Sequence, residues 1–521
     1  MTMDQFDYVV VGAGSAGCAL CARLSEDADV RVAVLEAGRR ELPAQVEADI
    51  ANPSHWAAVQ HTVVDWDYES VPQPHLNGRR ISEPRGRMPG GTSNLYAVMH
   101  IRGHRSDFDN WAYNGCPGWA HDDVLPYFQK LEDQEDDTSR IAGKGGPLRL
   151  QNAKLHEPNP TSAAFIEACV EAGFARTEDF NGPEMEGAGW HHVNIKDGRR
   201  HSMDRAYLDS SLSRPNLALI ENAQATRLLF QGRSCNGVEY KQGSETKRVA
   251  ATREVIVCAG AIDSPKLLLL SGLGDGERLA ALGIPVLAHL PGVGENFHNH
   301  VLASVIAAGS KPIPPPRQNM SEAALFYRSE PGWPGPDMQM AFVHGDPGQV
   351  ATAEPPPLMI MLPGVVRPLS RGWVRLASAD PLARPLIHPN YLACESDRQR
   401  LADGCRLARR LYATRALSAW VAAEVVPGPQ VPDEALIDYV RAGADSYHHQ
   451  VGSCRMGMDA TAVVDPSLRV HGVQGLRVAD ASVMPTVPSG NCHAAIVMIA
   501  EKAADLIKAA RHRKGENPAA P

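Results

Sequence analysis

The stretch FDYVVVGAGSAGCALCARLSED (residues 6–27) predicts the fold at the start of the chain. It opens with a short apolar run rich in β-branched residues, which is typical of a buried strand. Gly12, Gly14 and Gly17 follow in G-x-G-x-x-G spacing, ahead of a helical periodicity. The first glycine permits a tight turn, the second lets backbone approach a pyrophosphate, and the third lets helix and strand pack closely. We therefore predict a dinucleotide-binding loop.

A second predicted strand, VRVAVLEAG (residues 30–38), ends in Glu36, 19 positions after the last glycine of the loop. An acid at that distance can accept hydrogen bonds from an adenosine ribose, with Ala37 beside it. Ser15 and Ala16 at the predicted helix start offer backbone N–H groups to the phosphates. This order of strand, loop, helix, strand and acid predicts a bound dinucleotide, and at this point both NAD(P) and FAD remain open.

The composition predicts an ordinary globular protein. With 521 residues the chain is long enough for two joined domains. The 51 Lys and Arg residues against 60 Asp and Glu give a net charge of −9, so we expect no nucleic-acid partner. No apolar run reaches the roughly 20 residues that span a bilayer, and the acidic N-terminus does not resemble a signal peptide. Ten scattered cysteines indicate a reducing, cytoplasmic setting.

Further strands and helices are predicted along the chain. DMQMAFVH (337–344) alternates like a half-buried strand, PLMIMLPGVV (357–366) resembles another, and both are candidates for an apolar pocket or for core. Residues 395–420 have helical periodicity, whereas 151–215 mixes short apolar stretches with loops. We expect the tail from residue 514 to be disordered. Cys18 and Cys21 form a C-x-x-C pair that lacks a second pair at zinc spacing, so we interpret them as helix packing.

Five stretches in this order resemble the signatures of the glucose–methanol–choline (GMC) oxidoreductases, flavoenzymes that oxidise alcohols. Besides the N-terminal VVGAGSAG they are GRMPGGTSNLYAVMHIRG (86–103), GAIDSPKLLLLSGLG (260–274), HQVGSCRMG (449–457) and GLRVADASVMPTVPSGNCHAAIVMIAEKAADLI (475–507). The resemblance spans nearly the whole chain and is strongest to bacterial choline dehydrogenases and choline oxidases.

The resemblance implies FAD rather than NAD as the dinucleotide. It also implies an α/β fold class, which becomes α+β when the whole chain is considered. A Rossmann-like FAD-binding domain would comprise residues 1–150, 216–299 and 448–521. The inserted substrate-binding domain, an antiparallel sheet with helices, would comprise residues 151–215 and 300–447.

The resemblance also implies which further residues contact FAD. Leu95 stands where some choline oxidases carry a histidine bonded to the flavin, and leucine has no nucleophile, so the FAD should be non-covalent. The expected contacts near the flavin, the adenine and the pyrophosphate are made by Gly91, Thr92, Asn94, Ala97, Ala225, Asp480 and Ala481.

The resemblance assigns the chemistry to two histidines. His449 lies three residues before the glycine of the G-[ST]-C stretch, and His493 lies in the S-G-N-x-[NH] stretch. Oxidising an alcohol removes a hydroxyl proton and an α-hydride, and a neutral imidazole suits the proton near neutral pH. We therefore expect His449 to act as general base, while His493 holds the developing alkoxide. His448 should line the substrate pocket.

Two further residues bear on the substrate. Tyr96 stands where Asn or His is usual, and it should narrow the pocket. Glu322 falls where choline-specific relatives hold an acid against the substrate cation, but the flanking tryptophans are missing, and a quaternary ammonium needs aromatic faces as well as charge. We expect an uncharged alcohol, with choline as the alternative.

The reaction type, the electron acceptor and the oligomeric state stay open on the sequence. The fold also supports a hydroxynitrile-lyase-like reaction without net redox change, and oxygen or another electron acceptor could reoxidise the flavin. A monomer and a homodimer are equally compatible. The pairs His191–His192 and His298–His300 lack partners at metal-ligand spacing, so we interpret them as structural and expect no metal.

Overall fold

The computed structural model describes residues 4–346 and 357–515. Disorder was expected from residue 514, but residues 514 and 515 belong to the last helix, His493–Gly515, and residues 516–521 lie outside the described residues. Among the described residues, no helix combines the length and the apolar character that crossing a membrane requires.

In the described part of the chain, one sheet has seven strands. Its centre is parallel, with Asp4–Val11 between Val32–Leu35 and Glu245–Val257, and a final strand pairing beside the latter. The central strands are fully buried towards their carboxyl ends, as expected for a parallel sheet covered on both faces. The strands of this sheet are Asp4–Val11, Val32–Leu35, Leu217–Ile220, Ala223–Gln231, Ser234–Gln242, Glu245–Val257 and Leu476–Val478.

One helix covers the parallel part of this sheet next to the glycine loop, and a second helix packs on the first. Ser15–Leu24 follows the first strand directly, and His493–Gly515 packs against it. Cys18 and Cys21 are both fully buried in the first of these helices, as predicted for packing residues. All ten cysteines of the chain are free.

A second sheet has eight strands in the described residues, and its pairings are antiparallel. Its strands are Gly187–Trp190, Val301–Leu302, Val305–Gly309, Ala323–Tyr327, Met338–His344, Leu358–Val365, Val421–Val426 and Asp445–Ser446. The two strands predicted from DMQMAFVH and PLMIMLPGVV are neighbours at its centre. The helices that pack on it include Pro160–Glu171 and Glu395–Tyr412.

The remaining helices connect these layers. They are Ala44–Ala51, Arg105–Tyr113, His121–Leu131, Asp209–Ser211, Gly260–Leu270, Gly276–Ala281, Arg415–Ser418 and Leu436–Gly443.

The predicted fold class is confirmed, with one local error. The helix Pro160–Glu171 lies in the segment that we interpreted as short apolar stretches and loops. Asn159 accepts a hydrogen bond from the Thr161 amide, and Pro160 occupies the first turn, so the helix start carries an ordinary N-cap signal that the sequence reading missed. Every strand of the first sheet lies within the ranges predicted for the FAD-binding domain, and every strand of the second within the other ranges. The division into domains stays a prediction.

Candidate active site

One large cavity is lined by residues of both sheets and of the loops between them. From the second sheet come Leu302, Ala341, Val343 and Leu362, so the two strands predicted as pocket candidates do contribute to its wall. Most of the site residues predicted from the sequence also line it, namely Gly12, Gly14, Ser15, Ala16, Glu36, Ala37, Gly91, Thr92, Tyr96, Ala97, Ala225, His448, His449, Asp480, Ala481 and His493.

The glycine loop shapes one end of the cavity. Gly12 has φ +98°, which L side chains rarely adopt, and a Cβ on Gly14 would meet no protein atom within 4 Å. Gly17 differs, because its Cβ would overlap the Gly12 carbonyl oxygen, so it packs against the loop and does not line the cavity. The helix starting at Ser15 has no side-chain cap, which leaves its first N–H groups available to phosphate.

Glu36 closes this end of the cavity after the second strand. Its carboxylate accepts hydrogen bonds from the Ala13 and Gly38 amides, both at 2.9 Å. Burial raises the pKa of Glu36, while these amides favour the ionised form. The carboxylate can therefore brace the glycine loop and also accept from a ribose hydroxyl.

Two further loops complete the FAD-binding part. Asp480 accepts from the Gly260 amide at 2.8 Å and from the amide and hydroxyl of Ser482, and burial raises its pKa. A Cβ on Gly91 would lie 2.8 Å from the Gly14 Cα, so the loop that carries Gly91 and the glycine loop touch through backbone alone. Side chains at these positions would fill the space between the loops. Because glycines stand there instead, the residues present fit a dinucleotide such as FAD.

Asn94 is not brought to the cavity, contrary to the sequence-based expectation. Its amide nitrogen donates to the Pro89 carbonyl at 2.9 Å and faces Asp204. The side chain therefore holds the turn that presents Gly91 and Thr92 to the cavity.

His449 and His493 line another part of the cavity, its histidine end, one from a loop and the other from the start of a helix. His449 precedes Gly452 in the loop after Asp445–Ser446, and its amide donates to Asn299 Oδ1 at 2.7 Å. Its Nδ1 lies 3.0 Å from His300 Nδ1, and its Nε2 lies 3.2 Å from Asn491 Nδ2. Burial, followed by the neighbouring His300, holds the pKa of His449 well below its usual value, so the ring is neutral.

His493 is the first residue of the helix His493–Gly515. Both its ring nitrogens are buried and lack a hydrogen-bond partner among the described residues. Its ring lies 4.7 Å from that of Tyr96, whose hydroxyl donates to Asn194 Oδ1 at 2.6 Å. Burial lowers the pKa of His493 to about 3. A neutral imidazole with unpartnered nitrogens can form a hydrogen bond with a ligand oxygen.

His448 lies beside this pair in a strained conformation. Its φ is +62°, and its carbonyl accepts from Arg85 Nη2 at 2.9 Å. Burial lowers the pKa of His448 to about 3. Arg85 and Tyr447 also line the cavity, and sequence reasoning missed both. Arg85 stands directly before the stretch that carries the family resemblance, and Tyr447 stacks on the His449 ring at 5.0 Å.

Glu322 was predicted to line the substrate pocket, and the structure shows that this is wrong. Its side chain is 1% exposed and accepts from the Asn159 amide at 2.8 Å, at the start of the helix Pro160–Glu171. Burial raises the pKa of Glu322 to about 7. Its neighbour Ser321 lines the cavity instead. Successive residues of an extended segment point to opposite sides, so a cavity residue at 321 excludes one at 322.

The histidine pairs interpreted as structural divide into two kinds. His298 is fixed to backbone, with Nδ1 2.6 Å from the Asn296 carbonyl and Nε2 accepting from the Val487 amide. His192 contacts Asp136, and His191 contacts the Ser321 carbonyl. The interpretation as a purely structural residue does not extend to His300, because its ring contacts His449 directly.

Comparisons with known proteins identify the family. The family model for GMC oxidoreductases matches residues 6–302 with its N-terminal domain and 368–500 with its C-terminal domain. The chain belongs to the GMC oxidoreductase family. Similar GMC proteins include mitochondrial choline dehydrogenase from Homo sapiens, 40% identical over 97% of this chain and 90% of that protein. Oxygen-dependent choline dehydrogenase from Paraburkholderia xenovorans is 38% identical over 98% of this chain and 95% of that protein.

Solved structures agree with the fold. Pyridoxine 4-oxidase from Mesorbium loti superimposes with a TM-score of 0.90 at 34% identity, covering 99% of this chain and all of that one. Formate oxidase gives a TM-score of 0.89 at 26% identity, over 98% of this chain and all of that chain. The resemblance expected from the sequence is confirmed, and the chain is an FAD-dependent alcohol oxidoreductase of the GMC family.

Proposed function

We propose that the protein oxidises a small uncharged primary alcohol to a carbonyl compound, with His449 as general base and His493 as the group that holds the substrate oxygen. The observation that carries this proposal is a pair of neutral histidines, His493 buried and His449 half-buried, that line the same cavity as the glycine loop and Glu36. When bound, FAD supplies N5 as the hydride acceptor.

His449 Nε2 is the atom that takes the hydroxyl proton. In the structure it faces the amide nitrogen of Asn491, a hydrogen-bond donor, and therefore presents its lone pair. An alcohol hydroxyl that replaces this amide donates to the same lone pair. Burial keeps the ring unprotonated before substrate binds.

His493 contributes a hydrogen bond that strengthens as negative charge develops on the substrate oxygen. Its nitrogens need no existing partner to be displaced. A fixed donor in such a site stabilises a forming oxyanion more than water would.

The charges along the cavity favour an uncharged substrate over choline. Among the described residues that line the cavity, the acidic ones are Glu36, Asp263 and Asp480, and each accepts hydrogen bonds from the protein. Glu36 and Asp480 belong to the FAD-binding part, and Asp263 accepts from the Tyr68 hydroxyl at 2.9 Å, so none of the three is an unpartnered carboxylate that would favour a quaternary ammonium. Choline is the second candidate, since choline dehydrogenases are similar over most of their length and Tyr96 and Tyr447 offer two aromatic faces.

The experiment is an alcohol panel assayed with oxygen and, separately, with an artificial electron acceptor. We expect kcat/KM for aliphatic or aryl-alkyl primary alcohols to exceed that for choline. The two assays together distinguish an oxidase from a dehydrogenase. A choline value above every neutral alcohol would overturn the substrate proposal. Cleavage of a cyanohydrin without reduction of the flavin by any alcohol would favour a lyase.

We also propose that FAD is held without a covalent bond and that the enzyme works in the cytoplasm. Leu95 lines the cavity and has no nucleophilic atom, and the ten cysteines are all free. Acid precipitation should release the flavin into the supernatant, and fractionated cells should retain the activity in the cytosol. Flavin that remains in the pellet would contradict the first proposal, and activity in a membrane or periplasmic fraction would contradict the second.

A further inference from the structure

The ring of His300 meets the ring of His449 edge to face. Their Nδ1 atoms lie 3.0 Å apart, and the ring planes make an angle of 82°. His300 is buried and His449 is half-buried, and burial lowers the pKa of His300 to about 3. Two neutral imidazoles at this distance share one proton in one hydrogen bond, so one Nδ1 donates and the other accepts.

The surroundings of the His449 ring give the direction of this bond. On the far side of His449, the Asn491 amide nitrogen faces Nε2, and the Asn491 oxygen faces Gln339 Nε2 at 3.4 Å. This orientation makes His449 Nε2 an acceptor and therefore places the proton of the neutral ring on Nδ1. The Nε2 atom of His300 has no hydrogen-bond partner among the described residues. With the His449 proton on Nδ1, His300 Nδ1 is the acceptor of the bond between the rings, and the proton of the neutral His300 ring lies on Nε2.

The backbone holds the two histidines in register. The short strand Val301–Leu302, directly after His300, pairs with Asp445–Ser446, which lies just before the loop of His449. The Tyr447 amide also donates to the His300 carbonyl at 3.1 Å. A contact between residues 149 positions apart is thus built by neighbouring strands of one sheet.

We propose that His300 is a positioning residue, which accepts a hydrogen bond from His449 Nδ1–H and so keeps Nε2 of His449 unprotonated and directed at the substrate hydroxyl. The inference rests on the proposed role of His449. In the step concerned, the substrate O–H bond breaks and its proton moves to Nε2, while the electron pair stays on the oxygen. The Nδ1–H bond to His300 persists and stabilises the resulting imidazolium, as the orienting group of a catalytic histidine does.

A matched pair of variants tests this role. Asn and Leu have nearly the same shape, but only Asn places an acceptor oxygen near the position of the His300 Nδ1 atom. In FAD-loaded enzyme, His300→Leu should slow anaerobic flavin reduction by the alcohol roughly 10–100-fold, as loss of an orienting partner does. His300→Asn should recover most of that loss. Equal rates for the two variants would overturn the proposal.

A second comparison separates positioning from simple stability. In a His449→Ala background, His300→Leu should cause no further slowing, because the residue acts only through His449. A further loss of similar size would assign His300 a separate role. If His449→Ala itself leaves flavin reduction unchanged, the proposed function fails, and not merely this inference.

A spectroscopic measurement needs no variant at position 300. In wild-type holoenzyme with ¹⁵N-labelled histidine, the signals lost in His449→Gln identify that ring. We expect the neutral tautomer with its proton on Nδ1. A His449 ring with its proton on Nε2 would overturn the proposal even if His300→Leu could not be purified.

Discussion

At the glycine-loop end of the cavity, Glu36 and Asp480 accept hydrogen bonds from backbone amides. At the histidine end, by contrast, His493 has two ring nitrogens and Tyr447 has a hydroxyl for which the described residues provide no partner. Both ends are buried, so the difference is not one of solvent access.

The difference shows how each end contributes. An unpartnered buried polar atom costs about 1–3 kcal/mol, and folding alone gives no reason to retain several of them in one place. At the glycine-loop end, backbone shape and satisfied carboxylates prepare a fixed surface for a cofactor that stays bound. At the histidine end, polar atoms are kept free for a substrate that comes and goes.

The largest effect should come from the base. His449→Ala should slow anaerobic flavin reduction by substrate roughly 10²–10⁴-fold, the contribution usual for general base catalysis. The flavin should stay bound, because the glycine-loop end is untouched. Stopped-flow reduction of FAD-loaded enzyme measures the first effect, and the absorbance ratio of flavin to protein measures the second.

The neighbouring residue provides the control for this prediction. His448→Ala should change KM or substrate preference more than the rate of flavin reduction, since a pocket residue acts mainly on binding. If His448→Ala abolished reduction while His449→Ala kept it, the roles would belong to the other histidine of the pair.

The second effect concerns the free nitrogens of His493. His493→Ala should slow flavin reduction by roughly 10²–10³-fold, because a donor to the forming alkoxide is lost. His493→Asn should retain more activity, since its amide can still donate to oxygen. Saturation kinetics at several alcohol concentrations would show the loss in kcat. Equal losses in both variants would mean that the donated hydrogen bond is not what His493 contributes.

The same contrast explains what the sequence could predict. The glycine loop and Glu36 form a local pattern in which spacing fixes the backbone geometry. The two histidines were found because they stand in motifs that the family resemblance supplies. Each of these features lies within one short segment, and the structure brings them all to the cavity.

The residues that were misjudged depend on geometry that spacing does not encode. Ser321 lines the cavity where Glu322 was expected, because a shift of one residue turns a side chain to the opposite side of an extended segment. His300 reaches His449 through strands paired across 149 positions, which no local pattern reveals. Asn94 turns into its own loop, because a short amide can bond the nearby Pro89 carbonyl.

The third effect tests the glycine-loop end. Gly14 has φ −74°, and a Cβ there meets no protein atom within 4 Å, so Gly14→Leu should fold but fill space that the cofactor needs. FAD affinity should fall more than about tenfold, a factor that corresponds to only 1.4 kcal/mol of lost binding. Titration of apoprotein with FAD by flavin fluorescence measures the affinity.

The matched glycine should behave in the opposite way. A Cβ on Gly17 would overlap the Gly12 carbonyl, so Gly17→Ala should lower the stability of the apoprotein itself. If Gly14→Leu lowered the thermal midpoint of the apoprotein as much as Gly17→Ala, the open space at Gly14 would belong to the fold and not to the cofactor.

The smallest effect is a difference in pH dependence between the two ends. Burial lowers the pKa of His493 to about 3 from an ordinary value of 6.5, so the unfolded chain takes up a proton there that the folded chain refuses. Stability from this residue is present above pH 6.5 and falls as the pH drops towards 3, by on the order of 1 kcal/mol at pH 5.5. Glu36 has the opposite sign, because burial raises its pKa, and its contribution to stability is lost as the pH rises through that raised value.

Urea unfolding of FAD-saturated enzyme at about pH 7.5 and 5.5 should therefore show a smaller acid-induced loss of stability in His493→Asn than in wild type. Glu36→Gln, which removes the opposing carboxyl, should show a larger one. Identical pH responses in all three proteins would mean that the two ends of the cavity do not differ in how burial affects their titrating groups.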